Sequence, residues 1–257
     1  MSASSLSTGT PTAPTTAVVT GAAGGLGSAI TRRLHAAGHR AVVTDIDIDG
    51  ARALAAELSP DGETALGLSL DVSGRQGFVD ALAEITGRWG TPEILVNNAA
   101  VTRAADAMSL DTEDFDDVLT TNVNSIFFGC QVFGAAMAEK GYGRIVNMAS
   151  LAGQNGGTAT GAHYAASKGA IITANKIFAK EFAASGVTVN ALSPGPHDVD
   201  IVHRTVGEKL ESVIAGIPVH RLGNPGFLAD TVELLTRPDA YFVTGACWDL
   251  NGGLYVR

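Results

Sequence analysis

Tyr164-Ala165-Ala166-Ser167-Lys168 puts a phenol and an ammonium four residues apart inside a helical pattern. Positions i and i+4 share a helix face, so both groups project to one side. A nearby cation stabilises phenolate, which predicts a Tyr164 pKa drawn down towards neutrality and a usable acid or base. Upstream, Asn147-Met148-Ala149-Ser150 closes an apolar run. A strand ending there aims the Ser150 hydroxyl into the same crevice, where it can hold a carbonyl oxygen. Asn122, in Thr121-Asn122-Val123-Asn124, falls in the helix beneath, and its amide or backbone could hold a water behind Lys168. Each part also has an ordinary reading, because Tyr-x-x-x-Lys recurs in helices and serines often cap them. His163 is expected to point off the catalytic face as a structural residue.

A second set of residues suits a dinucleotide. Thr20-Gly21-Ala22-Ala23-Gly24-Gly25-Leu26-Gly27 lies between an apolar run and a helical pattern. Glycines allow positive φ and close backbone approach, and the helix start behind them offers N–H groups and a positive dipole end to a pyrophosphate. The spacing is Gly-x-x-x-Gly-x-Gly, which differs from the general Gly-x-Gly-x-x-Gly fingerprint. Asp45 closes the next run, about 20 residues on, where a carboxylate can accept hydrogen bonds from the adenosine ribose. It would repel a 2′-phosphate, and Ile46 follows where a cation would be needed. NAD(H) is therefore the expected cofactor, with Gly21, Gly25, Leu26, Gly27 and Asp45 in contact. Asp71-Val72 and Asn98-Ala99 end the third and fourth runs. An Asp there can meet the adenine amino group, and small residues let the adenosine lie flat.

These residues need a scaffold that gathers strand ends. Apolar runs at Ala17–Thr20, Arg40–Thr44, Thr64–Leu70, Ile94–Asn97, Arg144–Ala149, Val187–Leu192 and Ala246–Leu250 are too short for helices and read as strands. Helix-length patterns fall near 25–38, 50–59, 74–89, 111–139, 162–184 and 225–237. Such alternation predicts an α/β, doubly wound parallel sheet with helices on both faces. A single domain over 17–257 fits better than two, preceded by a flexible Ser/Thr/Pro-rich tail at 1–16.

Composition narrows the partners. Of 257 residues, 46% are hydrophobic and 17% charged, against about 25% charged in an average domain, which predicts a large buried interior. A net charge of −9 disfavours nucleic acid and anionic membrane surfaces, since both need clustered basic residues. Cys130 and Cys247 read as free thiols in a reducing compartment, hence a cytoplasmic protein. No run of about 18 apolar residues suggests a membrane span, and residues 1–16 lack the pattern of a secretory signal.

Taken in order, TGAAGGLG, TDID, DV, NNAA, TNVNSIFF, NMASLAG, YAASK, VTVNALSPGP and VTGACWDLNGG resemble the short-chain dehydrogenase/reductase family from Thr16 to the C-terminus. The resemblance implies a seven-stranded Rossmann sheet in the order 3-2-1-4-5-6-7. It implies that Tyr164 donates or accepts the proton, Ser150 positions the carbonyl or hydroxyl, and Lys168 lowers the Tyr164 pKa and binds the nicotinamide ribose. It also implies that Asn122 anchors a relay water, that Pro194, Gly195 and position 199 contact the nicotinamide, and that no metal is needed. Ser150 stands one residue further from Tyr164 than is usual, pointing to an insertion near Asn155–Gly161. Val199 replaces a common Thr, and Ala100 a common Gly. His197, Asp198, Asp200 and His203 fall in the implied substrate lid near 196–216, where solvated lid residues are expected rather than a metal site.

The resulting expectation is an NAD(H)-dependent oxidoreductase interconverting a secondary alcohol (small alcohol, polyol, diol or sugar) and its ketone. The alternative is a 3-oxoacyl thioester reductase acting on acyl carrier protein or CoA, which the Gly195 to Arg221-Leu222-Gly223 interval resembles. A non-catalytic NAD-binding scaffold is a third reading, disfavoured by the intact Ser, Tyr and Lys. Apolar helical surface in 111–139 and 162–184, with an apolar C-terminal stretch, predicts a homotetramer with two-fold symmetry, with a dimer as the alternative.

Overall fold

The structure, a computed structural model, describes residues 14–157 and 160–256. The expected tail lies outside them up to residue 13, whereas Thr16 already opens the first strand. In chain order the main elements are β1 (Thr16–Thr20), α1 (Gly25–Ala36), β2 (Arg40–Asp45), α2 (Ile48–Leu58), β3 (Ala65–Ser69) and α3 (Arg75–Trp89). Then follow β4 (Ile94–Asn97), α4 (Thr112–Lys140), β5 (Gly143–Met148), α5 (Ala152–Asn155) and α6 (Ala162–Phe182). The last group is β6 (Val187–Pro194), α7 (Asp200–Val206), α8 (Leu210–Gly216), α9 (Pro225–Thr236) and β7 (Cys247–Leu250).

All strand pairs are parallel, and the sheet order is β3-β2-β1-β4-β5-β6-β7, as expected. The strands lack polar alternation because both of their faces are covered. Val18, Val42, Leu95 and Ile145 pack on one side with Phe78 of α3, Phe133 of α4 and Ile171 of α6. Their neighbours Val19, Val43, Val96 and Val146 pack on the other with Ile30 of α1, Leu54 of α2 and Leu228 of α9. The chain reverses winding between β1 and β4, so the strand carboxyl ends open a crevice there.

Three helices were not expected. α5, α7 and α8 have four, seven and seven residues, too few to show helical periodicity. α7 ends at Gly207, whose φ of +53° stops the turn. No helix among the described residues is long and apolar enough to cross a membrane.

A line of buried amides ties the sheet to α6. Asn97 Nδ2 donates to Asn147 Oδ1 (2.9 Å), Asn147 Nδ2 to Asn175 Oδ1 (3.2 Å), and Asn175 Nδ2 to the Ala246 carbonyl (3.2 Å). Asn97 and Asn147 are register partners on β4 and β5. Gly129 of α4 leaves room for this line, since a Cβ there would lie 2.3 Å from Asn97 Oδ1. Asn97 cannot retreat without releasing Asn147. Gly129→Ala should therefore lower unfolding free energy by about 1–3 kcal/mol. Gly87→Ala, on the exposed side of α3 with nothing within 4 Å, should raise it by about 0.5–1 kcal/mol. Urea unfolding of both variants, with the m-value held, checks the pair.

Candidate active site

The glycine loop folds as its spacing suggests. Gly21 has φ +61°, and a Cβ there would lie 2.7 Å from Ala99 Cα. A Cβ at Gly27 would lie 2.2 Å from the Gly21 carbonyl oxygen, so both glycines permit close packing of the turn. Gly24 and Gly25 face open space instead, and a Cβ at either would have nothing within 4 Å. This open, backbone-lined start of α1 fits a pyrophosphate. Leu26 begins the helix and packs on the inner core.

Asp45, at the end of β2, accepts from Ala23 N–H through Oδ2 (2.9 Å) and from Asp47 N–H through Oδ1 (3.0 Å). Its carboxylate thus sits at the mouth of the loop. Asn98 is bonded to the glycine loop itself. Its Nδ2 donates to the carbonyls of Thr20 (3.0 Å) and Gly21 (2.9 Å), and its N–H and that of Ala99 donate to Thr20 Oγ1. The pair stitches β4 to the loop. Asp71 Oδ1 accepts from Ser73 N–H (2.9 Å), and hydrogen bonds from Ser73 hold its carboxyl below the usual range. Val72 is buried.

Ser150, Tyr164 and Lys168 converge at the end of β5. Lys168 is 3% exposed, and Nζ donates to the Met148 carbonyl (2.7 Å). Nζ also lies 5.5 Å from the centre of the Tyr164 ring. Burial pulls the Lys168 pKa down to about 7. Burial pushes the Tyr164 phenol up, opposed by a hydrogen bond with Ser150. The expected lowering of Tyr164 by Lys168 is therefore reversed in the protein alone. Spacing placed the ammonium beside the phenol, but desolvation of both groups outweighs their attraction. The phenol is therefore protonated at neutral pH, with the Ser150 hydroxyl beside it.

Asn122 is fully buried, and its amide is engaged by protein groups. Oδ1 accepts from Val101 N–H (2.8 Å), while Nδ2 donates to the Val101 carbonyl (3.0 Å) and Ser167 Oγ (3.0 Å). It locks the segment after β4 onto α4 and α6. Its carbonyl already accepts from Ser125 Oγ (2.9 Å). His163 is buried, packed on Gly161, and neither ring nitrogen has a hydrogen-bond partner among the described residues.

Beyond β6, the Pro194 carbonyl accepts from Leu151 N–H (3.0 Å), and Gly195 N–H donates to Leu250 (2.9 Å). Val199 N–H donates to the His197 carbonyl (2.9 Å), so that backbone group is engaged in the lid turn. His197 is 3% exposed rather than solvated: Nδ1 meets the Gly195 carbonyl, and the ring covers Gly223. His203 pairs with Asp198 (2.6 Å). Among the described residues no three His, Cys, Asp or Glu side chains cluster as metal ligands. A cavity of about 660 Å³ runs between the stem of the lid, at Ile217 and Arg221, and the end of β7 at Leu250 and Asn251. The sequence pattern gives no hint of Gln154 of α5, which donates to Ser193 Oγ on β6 and Asp249 Oδ1 on β7. No spacing signal marks it, since its partners lie 39 and 95 residues away.

Fold and site together define a class, nicotinamide-dependent oxidoreductases with a Ser-Tyr-Lys centre. Residues 21–255 match the family model described as enoyl-(acyl carrier protein) reductase. The chain is 38% identical to an acetoacetyl-CoA reductase of Rhizobium meliloti (strain 1021), covering 93% of this chain and 98% of the relative. It is 36% identical to a 3-oxoacyl-[acyl-carrier-protein] reductase FabG of Vibrio cholerae, covering 93% and 97%. Nodulation protein G of Azospirillum brasilense is also 36% identical, with the same coverage. The chain belongs to the short-chain dehydrogenase/reductase family.

The buried lysine gives a pH signature. With a pKa near 7 folded and an ordinary lysine value when unfolded, the unfolded chain binds the extra proton between those values. Stability of the ligand-free protein should therefore rise with pH from about 7 to about 10, by on the order of 4 kcal/mol, and stay flat below. Lys168→Met should abolish that rise, measured as the difference between wild-type and variant unfolding free energies across the range.

Proposed function

We propose that this protein is a cytoplasmic, NAD(H)-dependent reductase of 3-oxoacyl thioesters. The observation that carries it is the pairing of relatives named for 3-oxoacyl and acetoacetyl thioester reduction with an intact Ser150, Tyr164 and Lys168. This favours the thioester over the small alcohol, polyol, diol or sugar expected from the sequence, and over a non-catalytic scaffold. A bound nicotinamide dinucleotide would supply the hydride. The start of α1 at Gly25–Gly27 would hold its pyrophosphate and Asp45 its ribose. Tyr164, protonated at neutral pH, gives its proton to the 3-oxo oxygen. Ser150 donates a hydrogen bond to the same oxygen and opposes charge build-up there. Lys168 stays fixed on the Met148 carbonyl and offers a proton source behind the phenol.

Exposed apolar side chains support a homotetramer. Phe127 and Ile177 on α4 and α6 are 45% and 63% exposed, and Phe242 and Val256 near the C-terminus are 90% and 81% exposed. Two separate apolar faces on one chain suit two kinds of two-fold contact.

With NADH, the protein should reduce acetoacetyl-CoA or a 3-oxoacyl carrier-protein thioester. Tyr164→Phe should cut kcat by about 10²–10⁴ while leaving NADH affinity within about threefold. Preferential reduction of a 2,3-unsaturated thioester, or near-wild-type turnover in the variant, would sink the assignment.

Asp45 supports NAD(H) over NADP(H) through like-charge repulsion of a 2′-phosphate. Asp45→Ser should narrow the ratio of kcat/KM values for the two cofactors by about tenfold or more. A wild-type preference for NADPH would contradict this reading.

A further inference from the structure

α5 follows Ser150 almost at once and is a single turn, too short to hold its own shape. The position of Ser150 therefore depends on what holds α5. Two ties are backbone: Leu151 N–H donates to Pro194, and Gly153 approaches α6 so closely that a Cβ would lie 2.5 Å from Lys168 C. The third is a side chain. Gln154 Nε2 donates to Ser193 Oγ (2.8 Å) and Asp249 Oδ1 (2.6 Å), with Cys247 Sγ at 3.8 Å. Gln154 Oε1 is buried and has no hydrogen-bond partner. An unpaired buried acceptor costs stability, so the amide is kept in place by the bonds that its nitrogen makes.

We infer that Gln154, anchored on Ser193 and Asp249, is a positioning residue that sets the direction of the Ser150 hydroxyl. Ser150 Oγ accepts from Ala152 N–H within α5 (3.1 Å), which leaves its own proton for the phenol or a substrate oxygen. Turning α5 would break that arrangement. The Asp249 carboxylate can only accept and so calls for a donor at this position, while the Ser193 hydroxyl accepts from the same amide nitrogen. The ionisable groups nearest the amide are Asp249 and Cys247 of β7. β6 contributes the Ser193 hydroxyl, and α6 contributes backbone at Lys168, whose ammonium is turned to Met148.

The inference rests on the reductase reading only for the reaction that Ser150 serves. Four full-length variants test it: Gln154→Leu, Gln154→Glu, Asp249→Leu and Asp249→Asn. Gln154→Leu and Asp249→Leu should each lose about 10- to 100-fold in kcat, with dinucleotide KM within about twofold. Asp249→Asn keeps an acceptor oxygen and should stay within about threefold of wild type. Gln154→Glu faces Asp249 with like charge. Its kcat relative to wild type should recover about fivefold or more between pH 8 and pH 5.5, as the two carboxylates come to share a proton. Amide hydrogen exchange at residues 151–155 should be faster in Gln154→Leu and unchanged in Asp249→Asn. Lower melting temperatures with unchanged kcat in the folded fraction, and no pH recovery, would overturn the inference. Should Gln154→Leu fail to fold, the Gln154→Glu pH profile decides alone. A wild type inactive on every 3-oxoacyl thioester defeats the reductase reading, while the exchange comparison still judges the role of Gln154.

Discussion

The Lys168 ammonium is buried beneath the carboxyl end of β5, and the Met148 carbonyl is the acceptor it reaches. A charge in such a place is tolerated only with a partner at hydrogen-bonding distance. α6 must therefore lie on β5 at one height and one rotation. Gly153 permits that approach from α5, and Asn175 secures it about two turns further along the same face of the helix. Tyr164, one turn before Lys168, is carried to Ser150 by the same placement. The crevice, the acid and the hydroxyl that orients its proton all follow from where one lysine can be kept.

That burial also gives the site its chemical bias. An exposed Tyr-Lys pair would share a proton loosely. Here the phenol is pushed towards its protonated form and the ammonium towards its neutral one. A phenol is protonated at neutral pH in either setting, and a pKa raised by burial makes it a weaker acid until something bound beside it offsets the desolvation.

Much of this was legible in the sequence. Seven strands could be read because two-sided burial makes unbroken runs such as Ala17–Thr20 and Ile94–Asn97. The glycine loop and the Tyr164–Lys168 spacing are local, and local features survive folding. What failed depended on neighbours far along the chain. The sign of the Tyr164 shift follows from desolvation, which spacing does not encode. His197 is buried against Gly223, a contact with no periodic signature. Charge favoured a small polar substrate over an acidic carrier protein, whereas the relatives are named for thioester reductions.

The buried amides have a further consequence. From Asn97 through Asn147 and Asn175 to Ala246, every donor points the same way. No member can turn over without stranding the next, so the line has one orientation or none. A slip of β4 against β5 by a single residue would swing an asparagine to the opposite face and leave its neighbours unmatched. Apolar packing already penalises such a slip, and the amides add a polar cost to it. They therefore act as a proofreading device for assembly, making misaligned sheets still less favourable than packing alone would.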